Sequence, residues 1–126
     1  EDKEYIRKKI QSTFYDPASA SDAMIDEVFA AVNDRGKLIR AISMAKSALR
    51  HNLADKLGQI KTPALLIWGN QDAITPPFVG EKFKELLPNS TLFFIDKCGH
   101  APMLERPVEF NNYLADFLNK LALSRG

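Results

Sequence analysis

Two residues in this chain stand where a proton could be taken up and handed on, Asp72 and His100. Asp72 lies in Trp68-Gly69-Asn70-Gln71-Asp72-Ala73-Ile74-Thr75-Pro76-Pro77. His100 lies in Lys97-Cys98-Gly99-His100-Ala101-Pro102-Met103-Leu104-Glu105-Arg106-Pro107. Imidazole titrates near neutral pH and can serve as a general base. A carboxylate beside it accepts the Nδ1–H bond, fixes the tautomer and stabilises the imidazolium. Taken singly, neither residue is distinctive: Asp is common in turns, and a lone histidine is more often structural. The chemistry depends on what holds the two loops together.

Each loop follows a short apolar run. Pro63-Ala64-Leu65-Leu66-Ile67-Trp68 is continuous, the pattern of a strand buried on both faces, and Thr91-Leu92-Phe93-Phe94-Ile95 repeats it. Between them Val79, Phe83, Leu86 and Leu87 form one helical stripe that Pro88 stops. Strand, crossover helix and strand predict a parallel, right-handed βαβ unit. In such sheets the chemistry gathers in loops beyond the carboxyl ends of the strands, here Gly69–Pro77 and Asp96–Arg106. Gly69 is expected to permit a sharp exit from the first strand and Gly99 an unusual bend, with Pro102 stiffening the loop beyond His100. Pro107 then opens a last helix striped by Phe110, Tyr113, Leu114, Phe117, Leu118 and Leu121.

Residues 1–60 read as helices instead. Ile6, Ile10 and Phe14 recur at four-residue spacing until Asp16-Pro17 breaks the pattern. Ser21 or Asp22 can cap a second helix carrying Met24, Ile25, Val28, Phe29 and Val32, with Gly36 at its end. A third presents Leu38, Ile42, Ala45 and Leu49 on one face, and a short fourth spans Leu53–Leu57. The chain begins with Glu1 and Asp2 rather than Met and runs directly into a helical pattern, as an excised or processed piece would.

At 126 residues the length suits one modest domain. Seventeen Lys/Arg against sixteen Asp/Glu, interspersed, give a net charge of +1 and no nucleic-acid footprint. The cluster Arg7-Lys8-Lys9, beside Glu1, Asp2 and Glu4, reads as a solvated helix face. The longest apolar run is too short to cross a membrane, and no signal sequence leads the chain. One cysteine excludes an intramolecular disulfide and a thiolate zinc site, which fits a reducing, cytoplasmic setting.

The segment from Ile60 to Leu118 resembles the final two strands and helices of α/β-hydrolases. The family's Gly-x-x-Asp-x-x-x-Pro element is matched by Gly69, Asp72 and Pro76. Its Gly-His-x-Pro-x-x-Glu-x-Pro element is matched by Gly99, His100, Pro102, Glu105 and Pro107. The family order of nucleophile, acid, histidine then implies that Asp72 is the acid and His100 the base. The fold class implied is α/β, a partial α/β-hydrolase fold. Residues 1–60 resemble a helical lid, and residues 61–126 the C-terminal βαβα part of the core. The implied reaction is hydrolysis of a small ester, amide, C–C or carbon–halogen bond, with a small-molecule substrate and no cofactor or metal.

The chain departs from that pattern: it holds no Gly-x-Ser-x-Gly elbow, nor an equivalent with Asp or Cys, and neither the oxyanion-hole loop nor the earlier strands. Ser43 and Ser47 lie within helix patterns without flanking glycines and read as surface residues. Cys98 follows the wrong strand for a nucleophile and reads as packing; Trp68 and the phenylalanines at strand and helix periods read as core. His51, beside Arg50 at a helix end, reads as a partner of the helix dipole. Glu105 could be a second acid, but bonding to backbone or to Arg106 is the better expectation. Without a nucleophile the chain is expected to be inactive alone, and its bare strand edge or helices to draw it into a homo-oligomer. The alternative is a non-catalytic helical and βαβ module used for binding or structure. Coding sequence upstream of Glu1 with further αβ units and an elbow separates the two.

Overall fold

The computed structural model describes residues 2–124. The outer ends of the two segments read from the sequence, Glu1 and Arg125-Gly126, lie outside the described residues. Helix α1 (Lys3–Gln11) starts where Asp2 Oδ1 accepts the Glu4 N–H at 3.1 Å. The spacing of Ile6, Ile10 and Phe14 predicted one helix through Phe14, yet α1 stops at Gln11. The hydroxyls of Ser12 and Thr13 donate to Lys9 O at 2.8 and 3.3 Å, a local bond that competes with continuation of the helix. Phe14 is still buried, delivered by the turn rather than by the helix.

After a 3-10 turn at Pro17–Ser19, helix α2 (Asp22–Asn33) begins with Ser21 as its cap. Helices α1 and α2 touch, each burying one isoleucine, Ile6 and the fully buried Ile25, and Phe14 and Ala20 of the chain between them are buried as well. Gly36 does not end α2, as the sequence suggested. Asp34 both closes α2 and caps helix α3 (Arg35–Arg50), its Oδ1 taking the Lys37 N–H at 2.9 Å, so Gly36 sits in the first turn of α3. Helix α3 touches α2, yet all of its residues remain exposed, Leu49 to 86%. A single turn, α4 (Ala54–Leu57), leads to the sheet.

Strand β1 (Ala64–Gly69) and strand β2 (Ser90–Ile95) pair in parallel, Ala64 opposite Ser90 through Gly69 opposite Ile95. Helix α5 (Pro77–Leu86) crosses between them. The strands were expected to be buried on both faces, but most of their residues are half-buried. Helices touch both faces, yet a two-stranded sheet leaves the outer edge of β1 open among the described residues. For the same reason the aromatic residues of the strand and helix stripes are not uniformly core: Trp68 is half-buried and Phe83 is 37% exposed. The predicted loop Asp96–Arg106 contains a helical turn, α6 (Pro102–Glu105), that Pro102 starts. Helix α7 (Pro107–Ser124) follows and stacks Tyr113 on Phe93 with ring centroids 4.2 Å apart. No helix among the described residues is long and apolar enough to cross a membrane.

Candidate active site

Parallel pairing brings the carboxyl ends of β1 and β2 to one rim, and the two loops leave it side by side. Gly69 ends β1 in contact with the second loop: a Cβ there would lie 2.1 Å from Gly99 O and 2.4 Å from Cys98 O. Space, not a bend, is what requires glycine, since Gly69 and Gly99 both have ordinary φ. The unusual bend expected at Gly99 occurs instead at Lys97, which adopts φ 51°. Its carbonyl accepts from Arg106 Nε at 3.0 Å.

Gln71 laces the loops together. Its N–H donates to Cys98 O at 2.9 Å, and its Oε1 accepts the Cys98 N–H at 3.0 Å. Its Nε2 donates to Asp96 Oδ1 at 2.9 Å, the main reason the exposed Asp96 carboxyl titrates below its ordinary range. Sequence reasoning missed this residue. An amide between Gly69 and Asp72 gives no signal of its own, because its partners lie 25 and 27 positions away.

Asp72 serves the turn and the histidine at once. Its Oδ1 accepts the N–H groups of Ile74 and Thr75 at 2.9 and 2.8 Å, and its Oδ2 meets His100 Nδ1 at 2.9 Å. The Asp72 side chain is 5% exposed and that of His100 42%, so a buried carboxylate holds a ring open on its far side. An ionised carboxylate only accepts hydrogen bonds, so Nδ1 carries the hydrogen and Nε2 of the neutral ring presents its lone pair. The sequence expectation that these two side chains meet at one end of adjacent parallel strands is met by this geometry. They border an open groove of about 530 Å³ whose apolar wall includes Leu65, Ile67, Phe110 and Phe117.

The remaining candidates are elsewhere. Ser43 and Ser47 lie on exposed α3, and neither is a hydrogen-bond partner of His100. His51 closes α3, its Nδ1 bonded to Ser47 O at 2.8 Å. Glu105 accepts three backbone N–H groups rather than pairing with Arg106. No cluster of three or more potential metal ligands occurs among the described residues. Cys98 is fully buried, and burial, with the Glu105 charge second, pushes its thiol up to about 11 from 9.0. Iodoacetamide at pH 8 is therefore expected to leave Cys98 unmodified in the folded chain and to alkylate it in denaturant; mass spectrometry reads the difference. The raised value adds stability that is complete below pH 9 and lost toward pH 11. Two pH units correspond to about 3 kcal/mol, so the stability difference between the chain and Cys98→Ala should shrink over that window.

Residues 29–107 match the sequence profile of the family described as alpha/beta hydrolase fold. An uncharacterized hydrolase of Bacillus subtilis, YugF, is 31% identical over 120 residues, covering 92% of this chain and 42% of that protein. A 2-hydroxy-6-oxononadienedioate/2-hydroxy-6-oxononatrienedioate hydrolase of Cupriavidus pinatubonensis is 27% identical over 119 residues, 91% of this chain and 41% of that protein. Among solved structures, MGS-MChE2, an alpha/beta hydrolase enzyme from the metagenome of Mar Chica lagoon sediments in Morocco, superposes with a TM-score of 0.73 at 47% identity. The superposition covers 83% of this chain and 48% of that one. The chain thus spans less than half the length of the curated relatives it matches first.

Proposed function

Since the chain belongs to the α/β-hydrolase fold family, we propose that it supplies the acid and the base of a hydrolase whose nucleophile lies outside these 126 residues. The observation that carries this reading is the 2.9 Å contact between His100 Nδ1 and the buried Asp72 Oδ2, with Nε2 left free. In the cycle proposed for a serine nucleophile, His100 Nε2 takes the hydroxyl proton as the oxygen attacks the substrate. Asp72 holds the ring and stabilises the imidazolium, which returns the proton to the leaving group. His100 then activates water to release the covalent intermediate. No cofactor is called for, because covalent catalysis supplies the chemistry.

The substrate proposed is a small molecule with an ester, amide, C–C or carbon–halogen bond to break. The Cupriavidus relative, named for a 2-hydroxy-6-oxo dienedioate, supports trying a compound of that kind first. Residues 1–60 act as a lid and residues 61–126 as part of the catalytic core. A single, buried, free thiol suits a cytoplasmic setting. The complete gene product should turn over p-nitrophenyl esters or a 2-hydroxy-6-oxo dienedioate, while the 126-residue chain alone should not. Turnover by the chain alone that disappears on His100→Ala would mean that a nucleophile within it was overlooked.

The same reading proposes self-association of the chain on its own. The outer edge of β1 carries unpaired N–H and C=O groups beside an apolar groove, and α3 presents uncovered apolar side chains. Light scattering at micromolar concentration should report a dimer or larger species joined through the Pro63–Trp68 edge or the helices. A stable monomer would contradict it.

A further inference from the structure

We propose that Glu105 is a positioning residue for His100: its carboxylate clamps the histidine loop onto the turn that follows α1. The inference rests on the reading of His100 as the catalytic base. Glu105 Oε1 accepts the N–H groups of Tyr15 and Gly99 at 3.1 and 2.6 Å, and Oε2 accepts that of Asp16 at 2.7 Å. Two of these donors lie 90 and 89 positions away in sequence, so the carboxylate joins segments that nothing local would bring together. Hydrogen bonds to an ionised acceptor are the strong ones, and here three converge on one group.

A second contact, independent of Glu105, works at the same place. The His100 N–H donates to Thr13 O at 2.7 Å. Between these two anchors, a Cβ on Gly99 would lie 2.5 Å from Thr13 O and 2.8 Å from Tyr15 N, so loop and turn touch backbone to backbone. The N–H before the histidine is thus held by Glu105 and the histidine's own N–H by Thr13.

This anchoring matters because the ring has little else to fix it. With a side chain 42% exposed, His100 gains limited packing, and Asp72 restrains only its Nδ1 edge. The position of Nε2 is then set largely by where the backbone is pinned. Misplacing a reacting group by about 1 Å can cost on the order of 100-fold in rate. It follows that residues 13–16, part of the lid-like helical segment, support the base. Movement of that turn should be felt at His100.

Glu105→Gln tests the clamp with almost no change of shape. Its amide NH2 replaces one carboxylate oxygen and faces an N–H donor, so at least one bond is lost and the charge with it. In the complete gene product this variant should lower kcat about 10- to 100-fold while KM stays within about twofold. It should also weaken or abolish the far-downfield proton resonance of the His100 Nδ1–H, identified by its absence in His100→Ala. Leu87→Ala controls for stability, since the buried Leu87 lies before β2, at the end of the sheet away from the loops. It should lower the melting temperature but leave the resonance and kcat unchanged well below the melt. Loss of both turnover and resonance in Glu105→Gln, with both kept in Leu87→Ala, is the expected result. A Glu105→Gln protein that melts earlier yet keeps the resonance and full kcat would overturn this inference alone, reducing Glu105 to structural glue. Unchanged turnover in His100→Ala would instead overturn the catalytic reading and this inference with it.

Discussion

Replacing Asp72 by asparagine in the complete gene product is expected to lower kcat by about 10⁴-fold while the fold survives. The reason lies in how the carboxylate is divided. Its Oδ1 is committed to the N–H groups of Ile74 and Thr75, and only Oδ2 faces His100. An asparagine keeps its carbonyl oxygen on the turn, where two donors wait, and so points its NH2 at Nδ1. Two donors cannot face each other, so the ring must switch tautomer, accept at Nδ1 and carry its hydrogen on Nε2. A ring in that state cannot take a proton from a nucleophile. Because the turn keeps its oxygen, the melting temperature should move only slightly. Steady-state kinetics beside a thermal melt separate the two effects, and a variant that loses stability without losing rate would show that Asp72 serves the turn alone.

Gly69→Ala should be among the most destabilising single changes in the chain, at about 3 kcal/mol or more. The new methyl would meet Gly99 O at 2.1 Å and Cys98 O at 2.4 Å, on a backbone that Gln71 holds at Cys98 and Glu105 holds at the Gly99 N–H. Relief requires the histidine loop to leave the rim of the sheet. Gly58→Ala is the matched control: its Cβ would meet nothing within 4 Å, so a neutral or slightly stabilising result is expected there. Urea midpoints for the two variants should fall well apart. Similar midpoints would mean that the rim yields more easily than these contacts imply.

The part of the fold carrying the candidate site was legible from sequence because its signals are local. A continuous apolar run, a glycine and then a polar loop mark strand and exit, and they occur twice in the right order. Boundaries were less legible where two signals compete within a few residues. Asp34 overrides Gly36 because one carboxylate closes one helix and caps the next, and Ser12 and Thr13 end α1 before Phe14 is reached. Burial of the strands was overread, since an apolar run reports what a strand can bury, not what covers it. Cross-chain supports were the least legible. Nothing near Glu105 or Gln71 announces partners 90 or 27 positions distant, although Glu105 was rightly expected to bond backbone. The glycines were recognised as necessary but for the wrong reason, because crowding by another backbone leaves no trace in the local sequence.

Turnover by the complete gene product carrying His100→Ala bears most directly on the proposed role of the Asp72–His100 pair. Removing the base should lower kcat by about 10³- to 10⁶-fold, with the melting temperature nearly unchanged because the ring is half exposed. Turnover within about twofold of the wild-type protein would contradict the assignment of His100 as the catalytic base.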